Sequence, residues 1–328
     1  LSSSSAASDV YKRQVDATLL TPKPTNDLIE FHRIDRSRTS DRIGYFTTRD
    51  NATSTRRWLY SYDARTMTLI SAREIQALAQ TTFTNAIIGE VVDGILYLYR
   101  MVTAGSIGCP VGQSCIYLTK FNRQLVELGS TLVSGLTGIS QNLDDARLNG
   151  ASTLLLVHGN TAGNRFLSSW SIPGSSFVAV SGALGPITTA QLAINADAGW
   201  QYIGFQDAAK TVKRIQLDSV TVDTTNTFSF SGSNALGAIF TIPEAQLVIG
   251  ESTGTGGIAA VRNYRTGGLV NVGTTSTYLL TDGSAASRAS YWDVVNNKVY
   301  AFRVDAGSGA NNLMRSTPNT ATIEQRFN

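Results

Sequence analysis

Charge is scarce in this chain. Only 16% of its 328 residues are Asp, Glu, Lys or Arg, against roughly 25% in an average soluble domain. The formal net charge of +3 is thinly spread. The arginines between Arg33 and Arg65 are interleaved with Asp27, Glu30, Asp35, Asp41, Asp50 and Asp63, which describes a salt-bridged surface. Nucleic-acid binding needs a dense basic stripe, so no nucleic-acid partner is expected. Disordered acidic or basic tails lack apolar surface, and the 42% of hydrophobic residues here excludes that class. No apolar run approaches the ~20 residues of a membrane-crossing helix, so no membrane span is expected. Two cysteines exclude a disulfide-dense miniprotein and a cysteine-rich metal cluster. Helical periodicity is also nearly missing, and only Ala72 to Gln80, AREIQALAQ, reads as a helical turn or two.

What is present is short β-rich runs separated by Gly, Asn, Asp and Ser. One run recurs after a tight turn, as RIGYFTT, GILYLYR, STLLLVHG, GWQYIGFQ, AQLVIGE and NKVYAFRV, at intervals of 46 to 59 residues. A strand precedes each (LIEFHRI, NAIIGEVV, DDARL, TAQLAIN, GAIFTI, RASYWDVV), and two follow, the first of them RRWLYSYD, CIYLTKFN, LSSWSIP, VKRIQLD, IAAVRNY and LMRST. Four antiparallel strands per unit, repeated six times, resemble the blades of the β-propeller superfamily. The resemblance is architectural: no WD dipeptide pattern, kelch double glycine or Trp-ended quinoprotein repeat is seen. It implies an all-β fold, a propeller of six four-stranded blades forming one domain over 15–328.

The opening LSSSSAASDVYKRQ resembles translated sequencing-adapter read-through, and residues 1–14 are set apart as an artefact or a structureless tail. The true start, with any signal peptide, is then out of view. Val15 to Thr25 either completes the last blade or is the remnant of a seventh, truncated with the N-terminus.

First-to-second-strand links are mostly tight hairpins, such as Asp93-Gly94, whereas second-to-third-strand links are longer and polar. In propeller topology these long loops share a face with the interblade links, and a site is expected there. The longest carries Cys109 and Cys115 in CPVGQSC. Two cysteines in one loop favour a disulfide and so an extracellular or cell-surface location. Asn51-Ala52-Thr53 is a glycosylation sequon in another of these loops.

Catalytic signatures are missing. His32 lies inside a strand and reads as structural, and His158, where a strand enters its loop, is the one candidate base. No GxSxG, HExxH, P-loop or EF-hand spacing appears, and no metal site or cofactor is expected. Asp145, Asp207, Glu251, Asp282 and Asp305 could approach the loop face, but none sits in a motif. Trp58, Trp170, Trp200 and Trp292 fall in or beside strands and read as interblade packing rather than sugar platforms. The binding-face candidates are Arg49, Arg56, His158, Arg165, Asp207, Glu251 and Asp305, with the arginines, Arg57 among them, expected to be exposed. These features favour a secreted or cell-surface propeller that binds a protein or glycan without catalysis. One alternative is a structural subunit of an extracellular assembly or filament, formed by self-assembly. The other is a propeller-type glycoside hydrolase, lyase or lactonase.

Overall fold

Runs such as ILYLYRMV and TLLLVHGN place apolar side chains at successive positions, which suits a strand buried on both faces. The computed structural model describes residues 27–35, 42–50, 57–75, 87–102, 108–111, 115–133, 139–149, 153–160, 164–171, 176–184, 190–193, 200–205, 211–229, 236–242, 247–252, 259–263, 270–275, 291–293, 298–304, 311–316 and 323–326. Among them the chain forms six four-stranded antiparallel sheets, each built from consecutive strands in chain order. Blade 1 comprises β1 (Asp27–Ile34), β2 (Ile43–Asp50), β3 (Arg57–Asp63) and β4 (Thr68–Ile75). Blade 2 holds β5 (Ile88–Val92), β6 (Ile95–Val102), β7 (Cys115–Phe121) and β8 (Glu127–Val133). Blade 3 holds β9 (Ile139–Asn149), β10 (Thr153–Asn160), β11 (Arg165–Ser171) and β12 (Ser176–Val180). Blade 4 follows as β13 (Ala190–Ala193), β14 (Trp200–Phe205), β15 (Thr211–Gln216) and β16 (Val222–Ser229). Blade 5 is β17 (Leu236–Ile242), β18 (Leu247–Ser252), β19 (Ala259–Asn263) and β20 (Val270–Thr275). Blade 6 is β21 (Tyr291–Asp293), β22 (Lys298–Val304), β23 (Asn311–Ser316) and β24 (Ile323–Arg326).

The first strands of neighbouring blades meet. β1 touches β5, β5 touches β9, β9 touches β13, β13 touches β17, and β1 also touches β21. First strands therefore line the axis, and among the described residues blade 6 meets blade 1 by packing, with each sheet built from consecutive strands. This is a β-propeller with six four-stranded blades.

Alternation distributes each second strand between two interfaces. Leu96 and Leu98 join Phe31, Tyr45 and Leu59 between blades 1 and 2. Tyr97 and Tyr99 join Leu154, Leu156 and Trp170 between blades 2 and 3. Leu155 and Val157 turn the other way, toward Ile215 of blade 4. Burying such side chains contributes roughly 1.5 to 3 kcal/mol each, so the sheets are held by their faces.

The turns follow local chemistry. Asp93 (φ 51) and Gly94 (φ 77) form the tight β5–β6 hairpin with both residues left-handed. Between β3 and β4, the Asp63 carboxylate accepts the backbone N–H groups of Arg65 at 2.8 Å and Thr66 at 3.2 Å. Between β7 and β8, Asn122 Oδ1 does the same for Gln124 at 3.0 Å and Val126 at 2.9 Å. The blade 2 turn then docks on blade 1, where Ser61 donates to the Arg123 carbonyl at 2.7 Å and Arg73 to the Leu125 carbonyl at 3.1 Å. All six blades share an irregularity: the third–fourth strand register shifts at Ser61/Tyr62, Lys120/Phe121, Ser169/Trp170, Lys213/Arg214, Val261/Arg262 and Arg315/Ser316.

The helical expectation at Ala72–Gln80 is corrected. Residues 72–75 continue β4, paired with β3 through Arg57↔Ile75, and 76–80 lie outside the described residues. Helix preference in so short a run is weak, whereas pairing satisfies the backbone and places Ile75 in the blade 1–blade 2 core.

Gly44 shows how tightly blade 1 is packed. It pairs with Tyr62, and a Cβ added there would overlap the Tyr62 ring. That ring is fixed by a 2.6 Å hydrogen bond between its hydroxyl and His32 Nε2, so His32 is structural. Gly44→Ala is expected to cost about 1 to 3 kcal/mol through overpacking, read as a lower urea midpoint. An unchanged midpoint would mean that the ring can move aside.

Candidate functional site

Each of the first three inner strands carries buried charge: Arg33 near the end of β1, Glu90 in the middle of β5, and Asp145 and Arg147 in the second half of β9. Arg33 on β1 is fully buried and ion-paired with Asp145 on β9, two blades away. Its guanidinium also donates to the His32 carbonyl at 2.6 Å and the Ala146 carbonyl at 3.4 Å. Arg147 Nη1 lies 3.4 Å from the same Asp145 oxygen. On β5 between them, buried Glu90 accepts Val91 N–H at 2.9 Å and Leu148 N–H of blade 3 at 3.3 Å. Asp145 thus serves two cations, and together with the Glu90 bond to blade 3 these groups tie blades 1, 2 and 3 together near the axis. Buried ions are tolerated only when paired and hydrogen-bonded in this way.

A second cluster lies nearer the loop face of blade 3. Arg165, the first residue of β11, donates through Nε to Asp144 on β9, and both are buried. His158, two residues before the end of β10, is 2% exposed. It is in register with Leu143, a member of the blade 2–blade 3 core, so it faces blade 2. Neither ring nitrogen has a hydrogen-bond partner. Burial, and secondarily the Arg165 charge, push its pKa down to about 4, so the imidazole is neutral at pH 7. A general base must reach the proton it takes. Enclosure and a low pKa both weaken His158 in that role.

The third feature is the β6–β7 loop. Cys109 and Cys115 are joined in a disulfide with 5.8 Å between their Cα atoms. Both are buried beside Val102, with Tyr117 and Leu132 packed against them. The ring they close turns Pro110 and Val111 outward, and Val111 is 90% exposed. The loop therefore has an apolar foot, a covalent clasp and an apolar tip.

In blade 3 the structure places Arg165 near His158, while the sequence-named Asp145 is paired with Arg33 and Arg147. Arg165 and Arg57 are buried rather than exposed, because each opens a third strand whose pairing turns its side chain inward. Arg49 lies near the end of β2 and Glu251 in β18, with their side chains outside the described ones. Arg56, Asp207, Asp305 and the sequon Asn51 lie outside the described residues. Arg33, Glu90, Asp144 and Arg147 were not singled out as site residues from sequence. The available signal was a charged residue flanked by apolar ones in a first strand, as in IGEVV, and the paired charges of DDARL. Trp170 is fully buried in the core. No three His, Cys, Asp or Glu side chains are grouped to hold a metal ion among the described residues. No helix among them is long and apolar enough to cross a membrane.

No family model matches the chain, and no curated protein matches its sequence. Similarity is found in shape. The periplasmic gluconolactonase of Pseudomonas aeruginosa superposes with a TM-score of 0.56 at 10% identity, covering 94% of this chain and 85% of that one. A proposed 6-phosphogluconolactonase of Bacteroides uniformis gives 0.54 at 12% identity, covering 89% and 82%. A chain of the mitotic checkpoint complex gives 0.52 at 8%, covering 91% and 90%. At such identities the likeness extends to the fold alone, which carries many unrelated functions: this chain shares the propeller architecture of all three.

Proposed function

We propose that this propeller is an extracytoplasmic binding module that meets a glycan or protein through its loop face. The observation that carries this is the Cys109–Cys115 loop. An exposed apolar tip on a clasped, buried foot is pre-organised, so little ordering entropy is lost on contact. Two described acids of β9 add support, since Asp144 and Asp145 are each engaged by arginine. The disulfide favours an oxidising compartment.

The test is a glycan array probed with the full chain, with Val111→Asp and with the Cys109→Ser/Cys115→Ser pair. Binding by the wild type is expected, with about a tenfold loss in each variant. Equal binding by all three would remove the loop from the contact. Hydrolysis of gluconolactone by the purified chain would replace this reading with an enzymatic one. Concentration-dependent filaments in sedimentation would replace it with a structural one.

A further inference from the structure

His158 is expensive as a purely structural residue. Its ring is enclosed, yet both nitrogens lack partners, and a buried unpaired polar group typically costs 1 to 3 kcal/mol. The surrounding strand is built irregularly at this place. β9 shifts register between Val157 and His158 and again between His158 and Asn160. Such bulges re-aim side chains and recur beside functional sites. The half-buried Phe166, opposite His158 on β11, stacks on the imidazole with centroids 5.9 Å apart and planes 16° apart. The blade 2–blade 3 interface it faces contains a second orphaned group, the buried Tyr99 hydroxyl.

The chemistry of these groups selects the ligand. A neutral imidazole offers one donor and one acceptor, and a tyrosine hydroxyl offers both. Beside the imidazole, Arg165 is engaged with Asp144, and on the Tyr99 side Glu90 accepts the Val91 and Leu148 N–H groups, so the charges described around these two groups are already engaged. An alcohol hydroxyl, donating and accepting at once without charge, matches. The Phe166 ring adds an apolar surface of the kind that suits the C–H face of a pyranose. We infer that His158 is the floor of a binding site for a neutral hydroxyl-bearing ligand, a sugar or polyol, at the loop-face end of the blade 2–blade 3 interface. The inference rests on the loop-face binding reading and narrows it to a ligand class and a position.

The chain has only two histidines, so the imidazole nitrogen NMR spectrum of the 15N-labelled full chain reports on each separately. The probes are methyl glucoside, methyl galactoside and glycerol, with gluconate and glucosamine as charged controls. Saturable shifts of the His158 nitrogens with a neutral probe are expected, with His32 unmoved and the charged controls at least tenfold weaker. His158→Phe keeps ring volume and should lose the neutral probe by about tenfold or more. No shift with any probe up to its solubility limit would show that no such ligand reaches the enclosed ring and would overturn the inference. So would a stronger response to gluconate or glucosamine. If His158 is silent while the Val111 variants still lose array binding, the loop-face reading stands and only the sugar site fails.

Discussion

Asp145→Ala is expected to destabilise the propeller by roughly 3 to 5 kcal/mol, the usual consequence of removing one member of a buried ion pair. The effect arises mainly from what remains. Arg33 has no exposed surface, and without Asp145 a fully buried guanidinium would lose the carboxylate that balances it, while carbonyl contacts such as those to His32 and Ala146 carry no full charge. The double variant Arg33→Met/Asp145→Leu should recover most of the loss, since it removes both charges and restores apolar volume. Urea unfolding followed by Trp fluorescence is a suitable measurement, because Trp170 is buried between blades 2 and 3. Equal midpoints for Asp145→Ala and wild type would mean that the axial pair does not hold blades 1 and 3 together. A double variant no better than the single would mean that the pair is net favourable.

The second large effect is acid sensitivity. The folded pKa of His158 is about 4, against roughly 6.5 for an unperturbed histidine in the unfolded chain. Between these values the unfolded state binds the proton that the folded state refuses. The contribution is therefore complete above pH 6.5 and lost as the pH falls through 4, a decline of about 3 kcal/mol. His158→Phe removes this titration, so its stability should fall less steeply across the same window. Parallel pH profiles for the two chains would assign the decline to other groups.

Much of the fold was legible in the sequence, because its cause is repeated six times. Strands buried on both faces read as continuous apolar runs, and Asp93-Gly94 announces a hairpin because few other pairs accept two left-handed residues. Cys109 and Cys115 were legible for a similar local reason, since their separation of six residues brings the thiols together without the rest of the fold. The site was harder to read. Whether Arg165 points to solvent or to Asp144 depends on register, and one residue of slip reverses it. The pairing of Arg33 with Asp145 spans 112 positions, and nothing local records it. The first four residues of AREIQALAQ misled for the opposite reason, because local preference spoke for a helix and pairing with β3 overruled it there.

The register shift between the third and fourth strands of every blade bears on how the molecules behave together in solution. A shift of this kind adds twist to the outermost strand, so its free backbone groups do not present a straight row to another molecule. This matters most at β12, whose sequence SFVAV carries no charge and whose Val178 and Val180 are exposed. A flat neutral edge of that composition would invite lateral zippering into sheets. A kinked one is a poorer template for such pairing, even where, as at β12, the rim is apolar and uncharged.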